Sequence, residues 1–405
     1  MICNGLLKIG QPRLEDLGNG WTRLVSDVDI GGELKQVWVS VEDKYAQYLC
    51  HERSDAFLVG LFPIAYRRHL NVQCEAPVSE YLLFQLRSYL IPLISKYGRS
   101  VWPVSIDAEV VSSTIPNAGG VGTGISCGID SLHAILNHMN PIYPDLKLTH
   151  LVLNNVGAFG ENGGDIKGQF EWTINHARRF CDEYGYELIV INSNLFEGMG
   201  LDFENNSTYM NMFPILALQK LWRSFIYASS GYDFQRAYTL INNDDRDPCH
   251  YDMLLLDCVS NPNLKIYNEG APYSRYEKTR HLIDFEPARR YLQVCIDGSG
   301  GNCGKCTKCR RTLLTLDALG ALDKFDKVFD VEYYKRNRGE YLRHLYRMHL
   351  TPGDHMLGEV YDILKKDVSL CCRILGAWDY YYNICLCCVK DALRPTFKRL
   401  GLLKR

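Results

Sequence analysis

The chain has 405 residues, of which 46% are hydrophobic and 23% are charged, and its formal net charge is -2. These values are typical of a globular protein of two or three domains, and the near-zero charge argues against a broad nucleic-acid surface. The first residues lack the features of a signal peptide, and no stretch reaches the about 18 consecutive apolar residues of a transmembrane helix. Sixteen cysteines without the framework of a small secreted domain favour a reducing compartment, so we expect a cytoplasmic protein.

Residues 1–115 have the pattern of a small α+β domain. Two alternating segments, 25–30 and 36–41, flank Gly31-Gly32 and predict a hairpin. Apolar periodicity predicts helices over 55–69 and 79–97, each containing a proline that can kink it, and a strand over 101–111. Two roles are open for this accessory domain: it recognises a partner, or it covers one edge of the sheet that follows.

Residues 116–322 alternate between strand and helix patterns. Strands are expected over 149–154, 188–191 and 265–267, and helices over 169–184 and 211–224. This alternation predicts a parallel sheet, in which ligands bind beyond the carboxyl ends of the strands. Candidate ligand contacts follow two of these strands: Asn154, Asn155, Gly157, Gly160, Asn192, Ser193 and Asn194. The alternative, which is favoured for each residue taken alone, is that they only form turns. The segment 117–125 predicts only a short strand, because glycine interrupts it.

The most informative segment is Ser126-Cys127-Gly128-Ile129-Asp130-Ser131, which lies between a glycine-rich run and the apolar pattern of a helix. Small residues let a phosphate approach backbone N–H groups, hydroxyls on either side donate to it, and the positive end of the next helix lies beneath. The segment lacks the lysine of a Walker loop and the glycine spacing of a dinucleotide-binding loop. We interpret it as a pyrophosphate-binding loop. An ordinary turn that caps a helix is the alternative.

Four cysteines have C-x7-C-x2-C-x2-C spacing: Cys295, Cys303, Cys306 and Cys309. Four thiolates at this density suit tetrahedral Zn²⁺. A ferredoxin-type cluster needs a further cysteine where Leu313 stands, and a redox C-x-x-C pair leaves Cys295 without a role. No histidine or carboxylate lies within residues 302–309, so we predict a structural zinc site, with free or redox-active thiols as the alternative.

The loop and the four cysteines, in this order, resemble the 7-cyano-7-deazaguanine synthase family of PP-loop ATP pyrophosphatases. The loop pattern of that family is Ser-Gly-Gly-x-Asp-Ser, from which the chain departs at Cys127. A proline-led segment, 272–280, resembles a further element of the family, with Lys278 the best match to its lysine. The resemblance covers residues 118 to 322, roughly half of the chain.

This resemblance implies an α/β fold with a parallel-sheet PP-loop core of the adenine nucleotide α-hydrolase type. It also implies an ATP-dependent ligase that adenylates the carboxylate of 7-carboxy-7-deazaguanine, or a similar compound, and releases pyrophosphate. The acyl group then passes to an amine, which is ammonia in the stand-alone enzyme. In relatives from bacterial antiviral defence systems the acceptor can be a protein amino group, and such a protein would be encoded nearby. The implied cofactors are ATP, Mg²⁺ and Zn²⁺.

The resemblance also implies roles for individual residues. The hydroxyls and the glycine of the loop line the pyrophosphate, and Asp130 places Mg²⁺ or the nucleotide. The implied catalytic residues are Ser126, Asp130, Ser131 and Lys278, and the implied nucleotide contacts are Ser126, Cys127, Gly128, Ile129, Asp130, Ser131 and Asn154.

Two other functions stay open. Cys127 at the position of a family glycine favours a catalytically inactive nucleotide-binding subunit. A PP-loop enzyme that transfers sulfur to tRNA would need a catalytic thiol near the loop, for which Cys127 and Cys181 are the candidates, and a basic surface that the net charge disfavours.

Residues 323–405 have the pattern of a helical C-terminal region. Its basic and aromatic run, 333–347, is typical of a helix with tyrosines toward the core, although a surface that stacks on nucleic-acid bases has the same composition. Five cysteines between 371 and 388 lie in an apolar segment. Buried thiols are the expectation for them, with a second metal or redox pair and a palmitoylated anchor as alternatives.

Overall fold

A computed structural model describes residues 3–97, 102–158, 166–229, 234, 248–297, 300–351 and 356–399. The chain forms two compact units. The first comprises Met1–Ser274, Tyr291–Gln293 and Asp297–Gly300, and the second comprises Arg275–Arg290, Val294–Ile296 and Gly301–Arg405. The three-part division at residues 115 and 322 stays a prediction.

The first unit combines strands and helices. Its strands are β1 (Gly5–Ile9), β2 (Arg13–Asp16), β3 (Trp21–Ile30), β4 (Glu33–Glu42), β5 (Leu70–Cys74), β6 (Val78–Ser79), β7 (Ile106–Asp107), β8 (Val110–Val111), β9 (Gly120–Gly124), β10 (His150–Asn155), β11 (Glu187–Ser193), β12 (Trp222–Ala228) and β13 (Lys265–Glu269). Its helices are α1 (Asp55–Arg68), α2 (Glu80–Gln85), α3 (Ile91–Tyr97), α4 (Ile129–Met139), α5 (Ile166–Tyr184), α6 (Leu195–Met199), α7 (Ser207–Ala217) and α8 (Asp252–Val259).

One sheet of eleven strands organises this unit, in the order β13-β12-β9-β10-β11-β4-β3-β1-β5-β7, with β2 paired to β3 beside this path. The five strands from β13 to β11 are parallel. The chain winds outward in one direction from β9 through β10 to β11, and in the other through β12 to β13. A sheet wound in this way has its ligand crevice where the strand order reverses, beyond the carboxyl end of the first strand. The expected α/β class is confirmed as a mixed fold with a largely parallel central sheet.

The N-terminal strands extend the same sheet. β3 and β4 form the expected hairpin, and Gly31 and Gly32 take positive φ values of 64° and 97° at its turn. β4 then pairs antiparallel with β11 at two positions, Ser40 with Asn192 and Val39 with Ser193. Of the two roles open for this region, the structure therefore shows the covering of the β11 edge.

Asn194 continues the short β4–β11 pairing. Its Oδ1 accepts from the Trp38 N–H at 2.9 Å, and its Nδ2 donates to the Gln36 carbonyl at 2.8 Å. A side-chain amide can mimic a backbone peptide in this way, so two more backbone groups of β4 are satisfied after β11 has ended.

Two sequence predictions of secondary structure were wrong. The strand expected over 101–111 is reduced, within the described residues, to the two-residue strands β7 and β8. Pro103 has no N–H group to donate to a neighbouring strand. Asn71 Oδ1 accepts hydrogen bonds from the Trp102 indole N–H and from the Ser105 backbone N–H. The helix expected over 211–224 is α7, which ends at Ala217, and Trp222 begins β12. A short apolar run fits a buried strand as well as a buried helix.

The prolines in the two N-terminal helices have different effects. α1 continues through Pro63 without interruption. The helix expected over 79–97 is divided into α2, a π-helical turn over Leu86–Leu90, and α3, whose second residue is Pro92. The wider turn precedes the residue that has no N–H to donate, as is common where a helix must tolerate a proline.

The second unit is helical. The helices from residue 275 onward are α9 (Arg275–Leu282), α10 (Glu286–Tyr291), α11 (Thr307–Ala318), α12 (Val331–Arg336), α13 (Arg338–Leu350), α14 (Gly358–Leu364) and α15 (Leu370–Arg399). Asp317 of α11 accepts hydrogen bonds from the Tyr334 hydroxyl and from Arg338, both at 2.7 Å. α13 and α15 pack closely at Gly376, where a Cβ atom would lie 2.8 Å from the Arg343 carbonyl oxygen.

The thiols of α15 differ from the expectation. Cys371 and Cys385 are exposed and Cys372 is half-buried, so the prediction of buried thiols was wrong for these three. Cys372 lies on the side of the helix that faces α13, where its Sγ is 3.5 Å from the Gly339 carbonyl oxygen. The side chains of Cys387 and Cys388 lie outside the described part of the chain.

None of the helices described combines the length and the apolarity needed to cross a membrane.

Candidate functional site

β9 carries the chain to the carboxyl edge of the parallel strands. Its glycines permit close packing: a Cβ atom on Gly122 would lie 2.7 Å from Cζ3 of Trp222, and one on Gly120 would lie 2.9 Å from the Leu221 carbonyl oxygen. The short strand expected here is confirmed at five residues, Gly120–Gly124. Trp222, which is fully buried beside the strand, explains Gly122 and contributes at Gly120.

The 126–131 loop begins as soon as the strand pairing ends. The Oγ atoms of Ser126 and Ser131 lie 3.2 Å apart, and the Gly128 N–H donates to Ser126 Oγ at 3.3 Å. Ser131 also donates to the Gly128 carbonyl at 3.1 Å. α4 starts at Ile129 directly after its N-cap residue, Gly128. The two hydroxyls expected to flank a phosphate are therefore adjacent, at the positive end of an eleven-residue helix.

Cys127 occupies a backbone conformation that favours glycine. Its φ is 55°, in the left-handed region, and its side chain is 1% exposed. The Gln293 N–H donates to its carbonyl at 2.8 Å. The thiol enters the interior, so it leaves the outer side of the loop as open as a glycine would.

The two thiols near the loop are buried, and their pKa values are raised. Burial raises the pKa of Cys127 far above its usual value, and the nearby Cys181 adds to this increase. Burial likewise raises the pKa of Cys181 to about 12. Only a thiolate is a competent nucleophile, so neither side chain supplies what sulfur transfer to tRNA would require.

Asn154 lies on β10, the strand next to β9. Its Nδ2 donates to Asn211 Oδ1 at 3.3 Å, whereas its own Oδ1 is buried and has no hydrogen-bond partner among the residues that the structure describes. A buried acceptor without a partner costs about 1–3 kcal/mol. A ligand that carries an N–H group at the carboxyl edge of the sheet would remove this cost.

A cavity of about 550 Å³ opens beyond the ends of β10 and β11. Its lining includes the expected Asn155, Asn192, Ser193 and Asn194, together with Trp21 and Trp38. Sequence reasoning missed the two tryptophans, because only the long-range pairing of β4 with β11 brings the N-terminal strands to this edge. The cavity thus combines aromatic faces with amide groups, which is the lining that planar heterocycles bind.

The second unit contains the four-cysteine cluster. The Sγ atoms of Cys295, Cys303, Cys306 and Cys309 all lie within 4.8 Å of one another. Two of the separations, Cys303 to Cys309 and Cys306 to Cys295, are 4.0 Å. Tetrahedral Zn²⁺ with bonds of about 2.3 Å places its sulfurs about 3.8 Å apart. The cluster could therefore hold a metal ion such as zinc.

The local backbone conformation orients these thiol groups. Gly304 has a φ of 71°, and the turn that it makes directs the N–H groups of Lys305 and Cys306 to Cys303 Sγ at 3.4 and 3.3 Å. Cys306 is also the N-cap of α11, where its Sγ accepts from the Cys309 N–H. Hydrogen bonds from Cys309 are the largest cause that lowers the pKa of Cys306, to about 4. At least one thiolate is thus available to a cation at neutral pH.

The remaining predicted site residues are placed as follows. Asp130 lies in the first turn of α4 and is half-buried. Carboxylate oxygen is the ligand type that Mg²⁺ prefers, so this residue fits the role implied for it. Lys278 lies on α9, in the second unit, and is 1% exposed.

Comparison with known proteins finds no matching family model, no matching curated protein and no matching solved structure. The function must therefore be argued from the geometry of the two sites.

Proposed function

We propose that the chain is an ATP-dependent ligase with a PP-loop core, which adenylates a carboxylate with release of pyrophosphate and transfers the acyl group to an amine. One observation carries this proposal: the 126–131 loop follows the first strand of a doubly wound sheet, beside the reversal of strand order. Ligand crevices of such sheets form there. The resemblance to 7-cyano-7-deazaguanine synthases suggests 7-carboxy-7-deazaguanine or a similar compound as the carboxylate.

The loop is suited to the departing part of ATP. The adjacent hydroxyls of Ser126 and Ser131 can donate to phosphate oxygens, and the first turn of α4 adds the positive end of the helix dipole. When bound, Mg²⁺ at Asp130 would neutralise part of the phosphate charge. These groups act where negative charge develops on the pyrophosphate, which is the requirement for accelerating its departure.

The proposed reaction has two steps. A carboxylate oxygen attacks the α-phosphorus of ATP, the bond to the bridging oxygen breaks, and pyrophosphate leaves. An amine nitrogen then attacks the acyl carbon, AMP leaves with the electron pair of the broken C–O bond, and the amine loses a proton. Adenylation is needed because an unactivated carboxylate would have to expel oxide.

The tryptophan-lined cavity is a suitable place for the planar acyl substrate. Trp21 and Trp38 offer faces for stacking, and the side chains of Asn155 and Asn192 offer both donors and acceptors. For the amine, we propose ammonia or a protein amino group, as the resemblance suggests.

We further propose that the four-cysteine cluster holds structural zinc. All four ligands are thiols, so the coordination shell is complete and leaves no open position for catalysis. Its contribution would be to the stability of the second unit.

A nucleotide-binding subunit without turnover is the second candidate, and Cys127 motivated it. The inward orientation of this side chain removes the steric reason for inactivity, so we favour the ligase.

The test is exchange of labelled pyrophosphate into ATP, which detects adenylation even without an amine. Purified protein with MgATP and 7-carboxy-7-deazaguanine is expected to catalyse exchange and to form AMP. Ser126→Ala should slow it by about tenfold or more, whereas Ser105→Ala, on an exposed serine outside the loop, should not. Binding of ATP without any exchange would favour the inactive subunit, and the absence of ATP binding would exclude both.

A further inference from the structure

A polar cavity of about 430 Å³ lies in the second unit, apart from the thiol cluster. Its lining is Arg310, Glu340, Arg343, His344, Arg347 and Asp379. Arg310 comes from α11, Asp379 from α15, and the others from α13. Three guanidinium groups therefore share one cavity with two carboxylates, so positive charge is in excess.

The carboxylate of Asp379 is already engaged. Arg343 donates to it through Nε at 2.6 Å and through a second, parallel bond from Nη2. This fork is the usual geometry of a complete arginine–carboxylate pair. Among the described residues, no carboxylate oxygen lies within 4.0 Å of the charged nitrogens of Arg310 or Arg347.

His344 presents a donor without an acceptor. It is 5% exposed, and Arg347 Nη2 lies 3.2 Å from its Nδ1. A guanidinium can only donate, so Nδ1 accepts, and the proton of the neutral ring is on Nε2. That Nε2 is buried, and no group in the described part of the chain forms a hydrogen bond with it.

The guanidinium group of Arg310 also carries a buried hydrogen-bond donor. Its Nε is buried and has no hydrogen-bond partner within the described ranges. Both unsatisfied atoms, on Arg310 and His344, are N–H donors, and each such group costs about 1–3 kcal/mol when buried. Both atoms belong to residues that line the cavity, and none of the described residues supplies an acceptor to them.

The positive potential of this cavity is seen in the histidine itself. Burial, followed by the charges of Arg347 and Arg310, lowers the pKa of His344 to about 4. The ring is therefore neutral at physiological pH and keeps its single donor on Nε2. The two arginines supply the charge, and the histidine supplies a neutral hydrogen bond.

We propose that this cavity binds a phosphate group, held by the guanidinium groups of Arg310 and Arg347 and by the Nε2 proton of His344. A tetrahedral oxyanion accepts hydrogen bonds from several directions, as donors from two helices require. A single planar carboxylate is satisfied by one fork, as Asp379 is by Arg343. The phosphate belongs either to a free small molecule or to the backbone of a nucleic acid.

The test is calorimetric titration of the full-length protein with inorganic phosphate and with pyrophosphate, and with acetate as the carboxylate control. Arg347→Gln and His344→Leu are expected to weaken phosphate binding, the first by about tenfold or more because a charged hydrogen bond is lost. Arg336→Gln is the matched control, because Arg336 is an exposed arginine of the neighbouring helix that lies outside the cavity. Arg347→Lys keeps the charge without the fork and should give an intermediate affinity.

Folding of each variant is checked by circular dichroism and by metal content. A short RNA that competes with phosphate in the wild-type protein but not in Arg347→Gln would identify a nucleic-acid backbone as the source. Lack of competition by RNA would identify a small phosphate compound, and both results support the site. No saturable phosphate binding, acetate binding as tight as phosphate, or equal losses in Arg336→Gln would overturn it.

Discussion

The four-cysteine cluster and the 126–131 loop are both short motifs, but they carry their chemistry in different atoms. In the cluster, the ligand atoms are side-chain sulfurs that converge to within 4.8 Å of one another. In the loop, much of the binding capacity resides in backbone N–H groups, whose direction is set by the φ of Cys127 and by the start of α4. The residue types are thus enough to infer a metal site. A phosphate site depends on backbone conformation, which the residue types allow but do not determine.

This difference predicts that the cluster is most sensitive to the loss of one sulfur. Cys306→Ser preserves an N-cap for α11 but removes a thiolate. We expect loss of the metal and destabilisation by about 3–5 kcal/mol, because metal binding and folding are coupled. Metal analysis and thermal unfolding measure this. Cys371→Ser, on an exposed thiol outside the cluster, should change neither; equal effects of the two substitutions would refute a structural metal.

The loop, in contrast, should be most sensitive to a change in allowed backbone conformation. Cys127→Val places a β-branched side chain at a φ of 55° and adds volume at a fully buried position. We expect a loss of about 2–4 kcal/mol in the free energy of unfolding by urea. Cys127→Gly removes the strain and should stay within about 1 kcal/mol of the wild-type protein. A Val variant as stable as the Gly variant would contradict the backbone argument.

β9, the strand that precedes the loop, provides a third comparison. Gly122→Ala would bring a Cβ atom to 2.7 Å from the Trp222 ring, and overpacking of this kind costs about 1–3 kcal/mol. Gly124→Ala on the same strand meets only the Val152 carbonyl oxygen, at 3.9 Å, and should be nearly neutral. Chemical unfolding of both variants measures the difference. Similar stabilities would mean that Trp222 does not account for the glycine.

The smallest effect on stability is expected for Ser131→Ala. Its Oγ forms only local hydrogen bonds, with Gly128 and Ser126, so the loss should be about 1 kcal/mol or less. Affinity for ATP, measured by calorimetry, should fall by about tenfold if the hydroxyl donates to a phosphate. Unchanged affinity would indicate that the loop is an ordinary helix cap.

The sequence predicted the parts of the fold that depend on local pattern. The β3–β4 hairpin, the strands β10, β11 and β13, and the convergence of four cysteines were all anticipated, because alternation, turn residues and ligand spacing are short-range signals. β12 was mistaken for the end of a helix, since its apolar run has no distinguishing period. The cavity beyond β10 and β11 was anticipated only in its asparagines and Ser193.

The features that the sequence did not predict depend on long-range contacts. Trp21 and Trp38 reach the cavity through a pairing between strands that are about 150 residues apart in sequence. The arginine-rich cavity gathers side chains from three helices, and no periodicity in the sequence relates Arg310 to Arg347 or to Asp379. Contacts of this kind become visible only when the elements are packed.

The pairing of β4 with β11 has a practical consequence for anyone who shortens this protein. A fragment that starts after residue 115 would retain the parallel strands but would leave the Asn192 side of β11 without its neighbour. Exposed N–H and C=O groups along a strand edge recruit other chains. Recombinant versions trimmed to the residues after 115 should therefore precipitate during expression, whereas versions that keep the first 42 residues contain the hairpin that shields this edge.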